Sequence, residues 1–379
     1  MWFKFLAFCS NLLRQSKQAK ANQKQFNLYH TLVENIAAYK TTQCNSSRIL
    51  VVKLDDIGDY ILFENAFHTW ATSQQNNQEL FLVGNEAWRP LFELKFKELD
   101  ITCCWVNKSK WLHEQAYQKE KAKELQSIAP STCMYPSYTR SLLLDACIGS
   151  LFPNAKHIGF VNPKNLDQTL KKPLLTAFKT PAPHAHELLL NAGFFEQENM
   201  PEPNNGFNKQ ANYFVIGIGG NQQSKRWSEK NYSQLIQQLL SQYPNLNCYL
   251  IGGKAEQNQA QKIISLTGNS RCINHCEKVQ LIHLADFCKQ AQFAICNDTA
   301  VAHMCALNNV PLLVVANGNR YGRFFPYPKA FKQIRVIYPS QLKPTLSKKY
   351  DWEEKFPINA IKYTDVLAQL HILVDSCNN

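Results

Sequence analysis

The chain has 379 residues, 45% hydrophobic and 18% charged, a globular composition with room for two domains of ordinary size. A net charge of +12 and a pI near 9.0 point to anionic partners, but no Arg-rich tract, zinc-finger spacing or aromatic RNA-binding motif accompanies them, which weighs against nucleic acid. The 13 cysteines are scattered and odd in number, so they suit a reducing cytoplasmic compartment better than a disulfide framework.

The first 47 residues form a segment of their own. It is aromatic and apolar from Met1 to Leu13, then basic at Arg14, Lys17, Lys20 and Lys24. The apolar run is shorter than the ~20 residues that span a bilayer, and no small-residue cleavage site follows it. Two readings stand side by side: an amphipathic helix lying on a membrane surface, and a helix packed on the protein's own surface.

Residues 48–54 are a buried-strand pattern, followed by a polar turn and a helix over 59–73. Further strands are expected at 79–84, 101–106, 132–135 and 157–160, with a helix at 140–148. This alternation predicts a parallel α/β sheet. The first turn reads Lys53-Leu54-Asp55-Asp56-Ile57-Gly58-Asp59. A dinucleotide-binding lobe would place three glycines there; three carboxylates would instead repel a pyrophosphate, so an NAD-dependent oxidoreductase is disfavoured. Asp59 opens the helix, where the dipole favours its ionised form and suits a general base. The same three aspartates also read as helix caps.

Residues 161–211 change character. Six prolines from Pro163 to Pro203 punctuate them around one expected helix at 184–192, which marks an interdomain region. A second α/β series follows, with strands at 213–218, 247–251, 292–296, 311–315 and 334–337 and a closing helix at 359–374. Two Rossmann-like lobes of this kind leave a cleft at the carboxyl ends of their strands, where ligands bind.

The second series carries the phosphate chemistry. The strand-end turn Gly217-Ile218-Gly219-Gly220 leads to Lys225-Arg226-Trp227-Ser228, a flexible turn with two cations before a helix that Ser228 caps. Gly219 and Gly220 let backbone approach a phosphate, and Lys225 can neutralise a leaving diphosphate. Walker A spacing is absent, which excludes a P-loop ATPase. Ile251-Gly252-Gly253-Lys254-Ala255-Glu256 is another strand end, and its carboxylate suits ribose hydroxyls. Cys272, His275, Cys276 and His283 lack the second Cys pair that a zinc site would want. Asn297-Asp298-Thr299 then breaks a strand into a helix containing Ala300, Val301 and His303, an anion-binding corner. After the next strand, Arg320 and Arg323 add positive charge among aromatics that suit a base or a sugar.

Together these segments resemble glycosyltransferase family 9, the lipopolysaccharide heptosyltransferases. The resemblance runs from about Arg48 to about Tyr338 and rests on Ile57-Gly58-Asp59, Lys225-Arg226-Trp227-Ser228, Gly252-Gly253 with Glu256, and Asn297-Asp298-Thr299 with His303. It implies the GT-B fold, with an acceptor-binding lobe at 48–205, a nucleotide-sugar-binding lobe at 206–345 and a closing helical segment at 346–379. It also implies an inverting reaction without metal or other cofactor. Asp59 would be the base, Lys225 would bind the donor diphosphate, and Glu256 would hold the ribose. Asp298, Thr299 and the helix start from Ala300 through Val301 to His303 would hold the diphosphate and sugar, with Gly58, Arg320 and Arg323 as further donor or acceptor contacts. The expected donor is ADP-heptose, and the expected acceptor is a lipid-linked or oligosaccharide core at the anionic cytoplasmic face of the inner membrane. Three departures stand out: Ala300 replaces the family's glycine, Phe63-Glu64-Asn65 replaces its Thr-Pro, and the Asp55-Asp56 pair is an unusual local choice. A relative using another nucleotide sugar, or a non-catalytic nucleotide- or glycan-binding protein, would share most of these residues.

Overall fold

The computed structural model describes residues 2–162, 164–171, 173–198, 202–204, 211–220, 222–342, 350 and 356–378, with side chains described from Ser16 to Cys377. The segments where the sequence suggests domain boundaries near 205 and 345 lie outside them. The chain forms two compact units, one of Met1–Asp56 with Ala66–Pro181, the other of Ile57–Asn65 with Ala182–Asn379.

The first unit opens with helix α1 (Trp2–Asn35). Leu32 and Ile36 are buried in the unit's core, and Asn35 exchanges hydrogen bonds with Gln115 and Gln118 at 2.7 and 2.9 Å. Residues 16–21, Lys17 and Lys20 among them, are exposed, and so is Lys24. Among the described residues no helix is long and apolar enough to cross a membrane.

Strands β1 (Asn45–Lys53), β2 (Glu79–Asn85), β3 (Ile101–Val106), β4 (Pro130–Tyr135), β5 (Lys156–Phe160) and β6 (Ala177–Lys179) form a six-stranded sheet in the order β3-β2-β1-β4-β5-β6, every pairing parallel. Helices α2 (Ile57–Gln74), α3 (Arg89–Lys95), α4 (Lys108–His113), α5 (Gln115–Gln126) and α6 (Cys147–Gly149) connect them. The helix expected at 140–148 is broken. Residues 142–146 make a wide π turn, because Asp145 turns back to accept from Ser141 N at 2.6 Å while Arg140 is drawn into a buried ion pair with Asp167 at 3.2 Å.

The second unit repeats the plan. Strands β7 (Tyr213–Gly217), β8 (Asn247–Ile251), β9 (Cys272–Asn274), β10 (Ala294–Asn297), β11 (Leu312–Val315) and β12 (Ile334–Ile337) pair in parallel as β12-β11-β10-β7-β8-β9. All four residues of β11 are buried, as expected of a strand covered on both faces. The helices are α7 (Glu187–Phe194), α8 (Glu229–Gln242), α9 (Gln257–Thr267), α10 (Leu281–Gln290), α11 (Ala300–Leu307) and α12 (Tyr363–Asn378).

Two helices start later than the sequence suggests. Pro183 and a left-handed His184, at φ +55°, delay α7, whose N-cap is His186. Residues 358–360 form a 3-10 turn that holds Asn359 Oδ1 against Ser228 N at 2.8 Å, so α12 begins at Tyr363. Both sheets have the doubly wound order, in which the chain reverses direction once, between β1 and β4 and again between β7 and β10.

Candidate active site

Each sheet therefore has one switch point where a ligand crevice is expected. In the first unit that place is filled by the protein's own charges. Lys53 is fully buried with Nζ 2.6 Å from Asp55 Oδ2 and 3.5 Å from Ser137 Oγ, and Asp56 pairs with Lys108. Asp145 is buried beside them, its carboxyl pushed up to about 7 by burial and then by the charge of Asp55. A crevice lined by three carboxylates does not welcome a diphosphate.

The second switch point is different. Asn297 at the end of β10 is buried, accepts from Tyr232 OH at 2.9 Å, and donates through Nδ2 to the carbonyls of Ile218 and Gly219 at 3.2 Å. One amide thus fixes the Gly219-Gly220 turn after β7 against the start of α11. Lys225, in a 3-10 turn at Gln223–Lys225, reaches across to Asp298 at 2.6 Å with both side chains mostly covered. Arg226 donates to Gly220 O at 2.7 Å and to Glu256 Oε1 at 2.9 Å, while Glu256 Oε2 accepts from Gly253 N at 3.0 Å.

Thr299 is the N-cap of α11 in extended conformation, yet its hydroxyl caps nothing. Oγ1 is buried without a hydrogen-bond partner among the described residues. The free N–H groups of the first turn of α11 lie beside it. His303, one turn on, is buried, stacks on Phe325 with centroids 5.0 Å apart, and shares a 2.8 Å hydrogen bond between Nδ1 and Tyr327 OH. Burial lowers its pKa to about 4, so the ring is neutral at pH 7.

Gly58, at the start of α2, meets this corner. A Cβ there would come 3.3 Å from His303 Cδ2 and 3.7 Å from the N and Cα of Ala300. Any side chain larger than hydrogen would press on α11. Asp59 is the next residue, in the first turn of α2 and partly exposed.

The loop after β11 flanks the same corner. Asn317 Nδ2 donates to Ser224 O at 2.8 Å and so ties the loop to the Lys225 turn. Gly318 has φ +80°, and a Cβ would strike Leu342 Cδ2 at 2.0 Å. Arg320 is partly exposed. Arg323 is buried in an ion pair with Glu187 at 2.6 Å, and its carbonyl accepts from Glu187 N at 2.7 Å. Arg323 thus anchors α7 to this loop.

Gly219, Gly220, Lys225, Glu256, Asp298, Thr299, Ala300, Val301 and His303 lie on the turns and helix starts at this one sheet edge, and Gly58, after β1 of the other sheet, packs on Ala300 and His303. Sequence reasoning passed over Asn297 as a bridge, Arg226 as the partner of Glu256, and Tyr327 as the partner of His303. The Lys225-Arg226 dipeptide was the one local signal for any of these.

Residues 178–352 match the model of glycosyltransferase family 9 (heptosyltransferase). This stretch of the chain is similar to that family's model. The matched stretch includes Lys225, Glu256, Asp298, Thr299, His303 and Arg323. The two-sheet α/β fold of the whole chain is similar to that of several solved structures. A glycosyl transferase family 9 protein from Veillonella parvula DSM 2008 is 14% identical over 89% of this chain and 100% of its own, with a TM-score of 0.65. The E. coli ADP-heptose lipopolysaccharide heptosyltransferase II is 14% identical over 88% and 100%, at 0.61. The E. coli heptosyltransferase WaaC with ADP is 16% identical over 86% and 99%, at 0.62. No curated protein matches the sequence. Among the described residues, no group of three or more His, Cys, Asp or Glu side chains could hold a metal ion.

Proposed function

We propose that the protein is an inverting glycosyltransferase that moves a sugar from a nucleoside diphosphate, heptose from ADP-heptose in the first instance, onto a lipopolysaccharide core or a related surface glycan. The observation that carries this reading is the buried, unpartnered Thr299 hydroxyl at the start of α11, beside Lys225 and beneath the turn that bears Asp59. The solved structures of a similar enzyme with ADP and with ADP-2-deoxy-2-fluoro heptose support the choice of donor.

In this reading the diphosphate lies over α11, hydrogen bonded by Thr299 Oγ1 and the first-turn N–H groups. Lys225 turns from Asp298 to meet it, so that cations and the helix dipole stabilise the leaving group without a metal. Glu256 keeps lone pairs open for the ribose hydroxyls beyond the two bonds it already accepts. Asp59 takes the proton of the acceptor hydroxyl as that oxygen bonds to the anomeric carbon. The bond from that carbon to the diphosphate oxygen breaks on the opposite face, which inverts configuration. One base suffices for this, unlike the carboxylate pair of a hydrolase. The exposed basic stretch of α1 would hold the enzyme at an anionic membrane surface.

Asp59→Asn is expected to slow transfer from ADP-heptose by about 10²- to 10⁴-fold with ADP affinity unchanged. A variant that turns over like wild type removes Asp59 from the role of base.

A further inference from the structure

A cavity lies beside the loop that follows β11, and the donor corner does not account for it. Its volume is about 360 Å³, at the small end of ligand pockets. Its walls include His184, His186, Tyr321, Leu189, Tyr327 and Tyr350, and no charged side chain lines it among the described residues. The rings are locked in place. His184 stacks on Tyr350 with centroids 5.2 Å apart and planes 14° apart, and Tyr350 OH donates to Ala185 O. His186 packs on Tyr327 at 4.4 Å, and its Nε2 lies 2.6 Å from Phe324 O. Tyr327 OH in turn meets His303 Nδ1 at 2.8 Å, so one phenol separates this cavity from the first turns of α11.

The order of strands says which end of a nucleotide sugar faces it. Along the carboxyl edge the turns follow β8, β7, β10 and β11 in space. Glu256 follows β8, the diphosphate corner lies between β7 and β10, and the Tyr321–Tyr327 loop follows β11. With ribose at Glu256, the nucleobase lies on the β8 side and the transferred sugar on the β11 side. Rigid aromatic faces with phenol and imidazole edges and no charge suit the apolar face and hydroxyls of an uncharged sugar ring.

We propose that this cavity is a carbohydrate subsite that takes an uncharged sugar unit of the acceptor glycan, one ring beyond the transferred sugar. The assignment rests on the donor reading above for its orientation, while the cavity itself stands apart from the donor contacts.

The test is saturation-transfer NMR on the full chain with ADP present. The probes are three neutral methyl hexosides, of glucose, galactose and mannose. The variants are Tyr321→Ala, which removes a wall, and Leu189→Trp, which fills the cavity. Saturation of the ring protons of at least one hexoside is expected in the wild type. It should fall to background in Leu189→Trp, with affinity about tenfold weaker in Tyr321→Ala. ADP binding should stay at the wild-type level in both variants, which also shows that they are folded. No transfer to any hexoside, transfer undiminished in both variants, or displacement by adenosine overturns the proposal. Hexosides that bind and respond to the variants where ADP does not bind would uphold the subsite and defeat the donor reading; the reverse pattern defeats the subsite alone.

Discussion

At the scale of single residues, the corner at the start of α11 is a set of groups that suits an anion. Lys225 and Asp298 neutralise each other at 2.6 Å, and both are largely covered. An incoming diphosphate thus exchanges one partner of Lys225 for another and does not meet a bare cation. Thr299 is the sharper probe, because its hydroxyl has no hydrogen-bond partner among the described residues. Thr299→Val keeps the shape and removes an unsatisfied oxygen. The folded state should gain about 1 kcal/mol while ADP binding weakens by roughly three- to tenfold. Urea denaturation and calorimetry read the two effects separately; a gain in stability with unaltered ADP affinity would make Thr299 a purely structural cap. Much of this corner was legible in the sequence, because glycines, caps and cations cluster at strand ends. What local sequence cannot show is pairing over distance. The Lys225–Asp298 contact spans 73 residues, and Arg323, expected as a donor or acceptor contact, meets Glu187 across 136 residues.

At the scale of elements, the strands β1, β8, β11 and β12 are legible in the sequence, and their observed bounds differ little from the expected ones. Two strands were invisible. The outer strands β6 and β9 have three residues each, too few for a period, and β6 carries an exposed Phe178. Helix starts were displaced where a side chain competes with the backbone, as Asp145 does at Ser141 and Asn359 does at Ser228.

Trp227 shows how an element is fixed to the rest. Fully buried ahead of α8, it donates from its indole nitrogen to Ile361 O at 2.9 Å and packs on Tyr232, so the turn carrying Lys225 is braced against the entry to α12. Trp227→Phe should leave that carbonyl unpaired and a small void. The expected cost is about 2–4 kcal/mol, read by chemical denaturation, with ADP affinity weakened as the Lys225 turn loosens. An unchanged midpoint would mean that the indole does not brace the turn.

At the scale of the whole molecule, the two units respond to pH in opposite senses. His186 and His303 in the second unit are buried neutral, with pKa values lowered to about 3 and about 4, chiefly by burial. The unfolded chain then binds more protons than the folded one below the ordinary histidine value. Their contribution is intact above about pH 6.5 and is lost as pH falls towards 4. His186 also loses the Nδ1 acceptor that caps Leu188 N at 3.2 Å. Asp145 in the first unit is raised to about 7, so its contribution is full at low pH and is lost as pH rises from about 4 through 7. Calorimetric melts should therefore show Asp145→Asn gaining more, relative to wild type, at pH 8 than at pH 5. Equal shifts at the two values would contradict the buried carboxyl account.

The two sheets share one topology, and it is their switch points that differ. The first is occupied by Lys53, Asp55 and Asp145, the second by a lysine, a glycine turn and a helix start. The central claim is that the second switch point binds the diphosphate of a sugar nucleotide. It is tested most directly by thermal shift with ADP, GDP and UDP on wild type and Lys225→Ala. At 100 times its dissociation constant the matching nucleotide should stabilise the wild type by about 2.7 kcal/mol, and Lys225→Ala should weaken binding by roughly 10- to 100-fold. No shift with any nucleotide, or the same shift in the variant, would contradict it.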